Sequence, residues 1–170
     1  HCRAALQKAK AMLTAAGREV LADVPTARMA RLRVPTCGSA AELARQCDVL
    51  LVFGGDGTML RAARELDGSG TPILGINLGG LGFLTAAKAR EMPAAIQRLL
   101  AGQYELERRP LIQLRAAGGR GGPVWLALNE FVISRAGGSR LVELAVEVDG
   151  EELTRYRCDG LIVCTPTGST

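Results

Sequence analysis

The chain has 170 residues, of which 48% are hydrophobic and 22% charged, and its net charge is +4. That composition is typical of a globular protein with a substantial core, and no apolar run approaches the roughly 18 residues of a membrane-spanning helix. Aromatic residues make up only 4% of the chain, which argues against a base-stacking surface for nucleic acid.

The first half of the chain alternates helices with strands. A helical composition ends at Gly17, and a Ser-x-x-Glu capping box begins at Ser39. The arginines of residues 28–33 favour a solvated loop or strand. The predicted helices are residues 2–16, 39–45, 58–66 and 93–101, and the predicted strands are residues 18–22, 49–53 and 72–76. This alternation predicts an α/β fold with a mostly parallel, Rossmann-like sheet and flanking helices.

After Gly102 the pattern changes to strands, which indicates the first part of a β-rich second domain. The dipeptide Asp149-Gly150 predicts a tight hairpin, and residues 118–122 predict a surface turn. The predicted strands are residues 111–117, 124–128, 131–134, 141–148, 151–157 and 161–164. We therefore predict two domains, residues 1–104 and residues 105–170.

The cysteines and the histidine restrict the chemistry. The five cysteines contain no Cys-x-x-Cys pair, and their odd number fits a reducing compartment, so we expect a cytoplasmic protein. The only histidine is His1, which excludes a serine–histidine triad and a histidine-rich metal site. No cluster of carboxylates predicts a metal site built from side chains alone.

The central motif is Gly54-Gly55-Asp56-Gly57, which lies between an apolar strand and a helix. Ligands of parallel α/β sheets bind beyond the carboxyl ends of the strands, and a helix N-terminus attracts phosphate. A carboxylate in such a turn can position a hydroxyl and accept its proton, or hold a divalent ion. The alternative is a tight turn in which Asp56 caps the helix.

Three further blocks follow along the chain. Residues 75–84 form a second glycine-rich segment, whose Phe83 either covers a base or ribose or belongs to the core. The pair Asn129-Glu130 offers both a donor and an acceptor for ribose hydroxyls. Residues 157–170 lead from a strand into a hydroxyl-rich loop that suits a nucleotide or forms a turn ahead of a helix. The two glycine segments follow neighbouring strands, so we expect them to line one crevice.

In this order the four blocks resemble the NAD kinases, over residues 49–170. The resemblance implies that residues 1–104 form a nucleotide-binding domain that lacks its first strand, and residues 105–170 an incomplete dinucleotide-binding domain. It further implies ATP-dependent phosphorylation of the adenosine-ribose 2′-hydroxyl of NAD, with a divalent cation, Mg²⁺, and a homodimer or homotetramer. The chain would then be truncated at both ends, and residues 1–170 alone need not be active.

The resemblance also implies roles for individual residues. Asp56 matches the general base, and Gly54, Gly55 and Gly57 match the phosphate loop. The implied NAD-binding residues are Asp56, Gly57, Arg61, Phe83, Asn129, Glu130, Arg140, Arg157, Asp159, Thr167 and Thr170. Arg61 and Arg140 fit equally well as solvated charges on a helix and at a strand end.

Two other functions remain open from the sequence. Lipid kinases of the diacylglycerol-kinase type also use Gly-Gly-Asp-Gly-Thr, although they do not usually carry the Asn-Glu block or the hydroxyl-rich last block. A sensor that binds NAD or NADP without turnover is the alternative of another class, but a sensor has no need of the Asp56 carboxylate.

Overall fold

The computed structural model describes residues 2–66, 68–80, 82–116, 122–135 and 141–169. The chain divides into two compact units, residues 1–108 and 109–170. The predicted boundary after residue 104 lies in a stretch without regular secondary structure. No described helix has both the length and the apolar character needed to cross a bilayer.

Unit 1, residues 1–108, is an α/β unit whose strands pair in parallel. Its helices are α1 (Cys2–Ala15), α2 (Val24–Ala30), α3 (Ala40–Gln46), α4 (Asp56–Glu65) and α5 (Met92–Leu100). Its strands are β1 (Ala22–Asp23), β2 (Thr36–Cys37), β3 (Leu50–Phe53), β4 (Ile73–Asn77) and β5 (Ala87–Lys88). β1 pairs with β2, and a second sheet has the order β3-β4-β5. The predicted α/β class with a parallel sheet and flanking helices is confirmed.

Apolar side chains on both faces of β3 and β4 fix these strands. Ile76 of β4 is fully buried against Ala9 of α1 and against Met92 and Ile96 of α5. Leu50 of β3 joins a second buried cluster with Leu43, Ala44, Leu66 and Cys37. Because both strands are covered, their carboxyl ends, with the turns that follow, are held in fixed positions.

The structure corrects the prediction for residues 18–33. The predicted strand at residues 18–22 is wrong except at its end, since β1 begins at Ala22. The expected loop or strand at residues 28–33 is wrong at its start, because Arg28 lies in α2. Asp23 caps this helix by accepting a hydrogen bond from the N–H of Thr26 at 2.6 Å, and Arg31 ends it in a left-handed conformation.

Unit 2, residues 109–170, consists of antiparallel strand pairs. The strands are β6 (Ile112–Arg115), β7 (Val124–Ala127), β8 (Glu130–Ser134), β9 (Val142–Val148), β10 (Glu151–Cys158) and β11 (Gly160–Cys164). The pairs are β6 with β7, β8 with β11, and β9 with β10. The β-rich character predicted for this part is confirmed.

The predicted hairpin at Asp149-Gly150 is present. Val148 pairs with Glu151, and both turn residues have positive φ, 55° for Asp149 and 87° for Gly150. Two consecutive positive φ values match the twist of the flanking strands, which is why Asp-Gly is favoured there. The turn predicted at residues 118–122 lies outside the described residues except for its last residue.

Candidate functional site

Asp56 lies at the first turn of α4, directly beyond the carboxyl end of β3. The N-cap residue of the helix is Gly55, and no side chain caps it. The Asp56 carboxylate therefore does not cap its own helix, and the alternative of a simple capped turn is wrong. The N–H of Gly54 donates to the carbonyl of Ile76 at 3.0 Å, which extends the β3–β4 pairing to the start of the turn.

The Asp56 carboxylate is held by the second glycine segment. Its Oδ2 accepts a hydrogen bond from the N–H of Phe83 at 2.8 Å, and its Oδ1 accepts one from the N–H of Leu84 at 3.0 Å. Each oxygen thus has one fixed donor and retains acceptor capacity for a further partner. The structure brings the two glycine segments together, as their positions after neighbouring strands predict.

Gly82 permits this approach. A β carbon at residue 82 would lie 2.5 Å from Asp56 Oδ1 and 3.1 Å from Asn77 Nδ2. The first distance is shorter than real β-carbon contacts, so a glycine lets the carboxylate stay bonded to the amides of the next two residues.

Phe83 does not belong to the core. Its side chain is 86% exposed, although its N–H bonds Asp56. Exposed aromatic side chains next to a polar group are suited to cover an apolar ligand surface. The reading of Phe83 as a core residue is wrong, and a role against a base or ribose stays a prediction.

In unit 2 the chain beyond β11 folds back on Asn129. The N–H of Thr165 donates to the carbonyl of Asn129 at 2.8 Å, and the Thr165 hydroxyl donates to the carbonyl of Leu128 at 2.5 Å. Thr165 is 2% exposed, and its hydroxyl accepts from the N–H of Gly168 at 3.2 Å. A β carbon at Gly168 would collide with the backbone of Asn129. These contacts fix the loop after β11 against the Asn129 backbone.

The Asn129 side chain has an unsatisfied oxygen. Its Oδ1 is buried and has no hydrogen-bond partner among the described residues. A buried polar atom without a partner costs free energy, so such atoms in native proteins call for an explanation, of which ligand binding is one. Glu130, the next residue, begins β8 and is exposed.

The other predicted binding residues of unit 2 lie on its surface. Arg157 is exposed on β10 opposite Glu143. Asp159 is 81% exposed and lies 3.8 Å from the guanidinium of Arg135. Thr167 accepts a hydrogen bond from Arg109 at 3.3 Å. The binding roles of these side chains stay predictions.

Three arginine and threonine predictions remain. Arg61 is exposed on α4, where its Nε lies 3.7 Å from Glu65 one turn later, and its role in binding stays a prediction. Arg140 and Thr170 lie outside the described residues.

The sequence patterns did not single out three residues that hold two loops in place. These are Asn77 and Thr85, at the loop after β4, and Thr165, at the loop after β11. Asn77 is 5% exposed, and its side chain links Gly79 to Thr85 across the loop after β4. A buried polar residue at a strand end is the signal that could have singled it out. Within the described residues, no group of three or more His, Cys, Asp or Glu could hold a metal ion.

Comparison with protein-family models gives two matches that follow one another along the chain. The ATP-NAD kinase N-terminal domain matches residues 11–104, and the ATP-NAD kinase C-terminal domain matches residues 128–170. The NAD kinase of Bordetella avium is 40% identical over 176 aligned positions, which cover 98% of this chain and 56% of that protein. The chain thus spans about half the length of the curated relatives it matches.

Solved structures agree with this assignment. An NAD kinase from Archaeoglobus fulgidus in complex with ATP is 32% identical, with a TM-score of 0.66, over 88% of this chain and 62% of that one. The yeast NADH kinase complexed with NADH has the same fold, with a TM-score of 0.86 and 24% identity over 99% of this chain and 55% of that one. The fold, the two glycine segments and the matched domains lead to one conclusion: this chain belongs to the NAD kinase family.

Proposed function

We propose that the protein carrying this chain is an NAD kinase, which transfers the γ-phosphoryl group of ATP to the 2′-hydroxyl of the adenosine ribose of NAD. The observation that carries the proposal is the Asp56 carboxylate, fixed by the N–H groups of Phe83 and Leu84 beyond the end of β3. Relatives named NAD kinase, and solved relatives in complex with ATP or NADH, support the choice of substrates.

Asp56 acts as the general base in this reaction. Its carboxylate accepts the proton of the 2′-hydroxyl, the hydroxyl oxygen forms a bond to the γ-phosphorus, and the bond from that phosphorus to the β,γ-bridging oxygen breaks. The products are NADP and ADP. Phosphoryl transfer passes through a loose transition state, so its rate depends mainly on positioning and charge neutralisation.

The phosphate loop is formed by Gly54, Gly55 and Gly57. Since the N–H of Gly54 is engaged by Ile76, Gly54 shapes the turn, and phosphate contacts fall to Gly55, Gly57 and the start of α4. Mg²⁺ enters with ATP as part of the substrate. Mg²⁺ usually keeps several waters and is bound through substrate phosphates with one or two carboxylates.

Dinucleotide-binding residues are proposed for each unit separately. In unit 2 the buried Oδ1 of Asn129 accepts a hydrogen bond from a ribose hydroxyl or the adenine amino group, which satisfies an otherwise unpaired atom. The other residues proposed for this role in unit 2 are Glu130, Asp159, Arg157, Thr167, Arg140 and Thr170. In unit 1 the proposed residues are Phe83 and Arg61. The working protein is a cytoplasmic homodimer or homotetramer.

The alternatives differ in their product. Membership of the NAD kinase family argues against a lipid kinase of the diacylglycerol-kinase type, and the exposed position of Phe83 beside Asp56 suits a flat ring better than an acyl chain. A sensor would bind NAD or NADP and form no product.

The experiment is a substrate test on the whole purified protein. NAD, NADH and diacylglycerol are each incubated with ATP and Mg²⁺, and products are separated and identified by ³¹P NMR. We expect a 2′-phosphate on NAD and no phosphorylated lipid. NAD binding by calorimetry without any product would establish the sensor, and phosphorylated diacylglycerol would overturn the proposal.

A further inference from the structure

Asn77, the last residue of β4, bridges the loop that follows this strand, from Gly79 to Thr85. Its Oδ1 accepts a hydrogen bond from the N–H of Gly79 at 2.8 Å, and its Nδ2 donates to the hydroxyl oxygen of Thr85 at 3.2 Å. Asn77 is 5% exposed and both bonds are partly buried, so the loss of a partner costs more there than at the surface. The side-chain amide of Asn77 therefore links the start of this loop, at Gly79, to its end, at Thr85.

Asn77 fixes the end of this loop, which is the part that binds the Asp56 carboxylate. Thr85 directly follows Leu84, whose N–H bonds Asp56 Oδ1, and Leu84 follows Phe83, whose N–H bonds Oδ2. The Asn77 amide and the Asp56 carboxylate both lie against Gly82, at 3.1 Å and 2.5 Å from the position of a β carbon there. A shift of Thr85 would thus move both donors of the carboxylate.

Backbone hydrogen bonds flank the Asn77–Thr85 hydrogen bond but do not substitute for it. The N–H of Ala86 donates to Gly75 at 2.9 Å, and the N–H of Ala89 donates to Asn77 at 2.8 Å. Both bonds belong to the pairing beside β4 and lie beyond Thr85. Among the described residues from Gly79 to Thr85, hydrogen bonds run to the side chains of Asn77 and Asp56.

We propose that Asn77 and Thr85 are positioning residues for the Asp56 carboxylate, a role that rests on the proposed function of Asp56 as the base. Their hydrogen bond sets the place of the Phe83 and Leu84 amides, and these amides set the direction of the carboxylate oxygens. A displacement of about 1 Å in a reacting group can cost about 100-fold in rate, so the bond acts mainly on the chemical step.

The test compares three threonine variants of the whole protein. Thr85→Val keeps the shape of the side chain and removes the oxygen that accepts from Asn77, whereas Thr85→Ser keeps that oxygen. Thr71→Val is the matched control, because Thr71 donates to the carbonyl of Ala44 at 2.8 Å, in unit 1 but within a different set of contacts. We expect Thr85→Val to lower kcat about tenfold with KM for NAD and ATP changed less than about twofold. Thr85→Ser should recover most of kcat, and Thr71→Val should retain it.

A double variant separates positioning from a general loss of structure. If Thr85 acts through the carboxylate, Thr85→Val should lower kcat less than about twofold further once Asp56→Asn is present. An equal tenfold loss in both backgrounds, or unchanged kcat in Thr85→Val, would overturn the positioning role.

A second readout does not depend on activity. The ¹H–¹⁵N amide signals of Phe83 and Leu84 should move in Thr85→Val and return in Thr85→Ser. Unchanged signals in Thr85→Val would overturn the positioning role, whatever the activity. Absence of NADP from every variant would instead overturn the proposed function, while the amide signals would still report whether Thr85 places these donors.

Discussion

In each unit a glycine lies in tight contact with a polar residue, but the part of that residue in contact differs between the units. In unit 1, Gly82 lies against the side chain of Asp56, whose two oxygens each accept a backbone N–H. In unit 2, Gly168 lies against the backbone of Asn129, whose side-chain Oδ1 has no partner among the described residues. The first contact fixes a reactive group, and the second fixes a loop beside an unsatisfied acceptor.

This difference predicts different consequences for equivalent substitutions. A change at the contact in unit 1 should displace the carboxylate and lower the rate, because a side chain can move while the fold persists. A change at the contact in unit 2 should lower stability, because the Asn129 backbone is bonded to the N–H of Thr165 and cannot move without loss of that bond.

Gly82→Ala should have the largest effect. The new methyl group would meet Asp56 Oδ1 at 2.5 Å, so the carboxylate must leave the Phe83 and Leu84 amides. We expect kcat for NADP formation to fall about 100-fold, with a much smaller change in thermal stability. The control is Gly80→Ala in the same segment, where a β carbon meets nothing within 4 Å. A normal kcat for Gly82→Ala would show that the position of the carboxylate does not matter.

Gly168→Ala should act on the fold of unit 2. The methyl group would collide with the backbone of Asn129, and we expect the free energy of unfolding to fall by about 1–3 kcal/mol. Urea unfolding can be followed by the fluorescence of Trp125, the only tryptophan of the chain, which lies on β7 of unit 2. Gly122→Ala serves as the control, since its β carbon meets a single oxygen at 3.3 Å. Equal stability of the two variants would contradict the tight contact.

Asn129→Leu should have the smallest effect on stability and a specific effect on binding. It removes a buried oxygen that has no partner among the described residues, so the free energy of unfolding followed by Trp125 fluorescence should change by less than about 1 kcal/mol. The dissociation constant for NAD, measured by calorimetry, should rise about tenfold if that oxygen accepts a hydrogen bond from the ligand. Gln113→Leu, at an exposed amide on β6, should change neither quantity. Unaltered NAD affinity in Asn129→Leu would remove Asn129 from the site.

The elements that sequence patterns predicted are those with strong local signals. The Ser39 cap of α3, the apolar run of β3 and the Asp149-Gly150 turn all appear where residue types alone place them. Two-residue strands such as β2 and β5 carry no such pattern, since their pairing depends on neighbours far along the chain. The sequence patterns did not predict helix α2, because the segment after its N-cap residue Asp23 is short and has little apolar periodicity.

The sequence predicted which motifs form the site but not which atoms of those motifs contact each other. The motifs placed Asp56 after β3 and the second glycine segment after β4, and adjacent parallel strands bring such turns together. The donors to Asp56 are backbone N–H groups, which every residue except proline carries, so residue identity does not reveal them. The roles of Asn77 and Thr85 depend on those contacts and were hidden for the same reason.

The most direct test of the account is the rate of NADP formation by Asp56→Asn beside Asp48→Asn, in the whole protein with NAD, ATP and Mg²⁺. The two substitutions remove the same charge at opposite ends of β3, and Asp48 is exposed. We predict that Asp56→Asn lowers kcat by about 10²- to 10⁴-fold with near-normal NAD affinity, while Asp48→Asn keeps the full rate. Comparable rates for the two variants would contradict the claim that the Asp56 carboxylate is the general base.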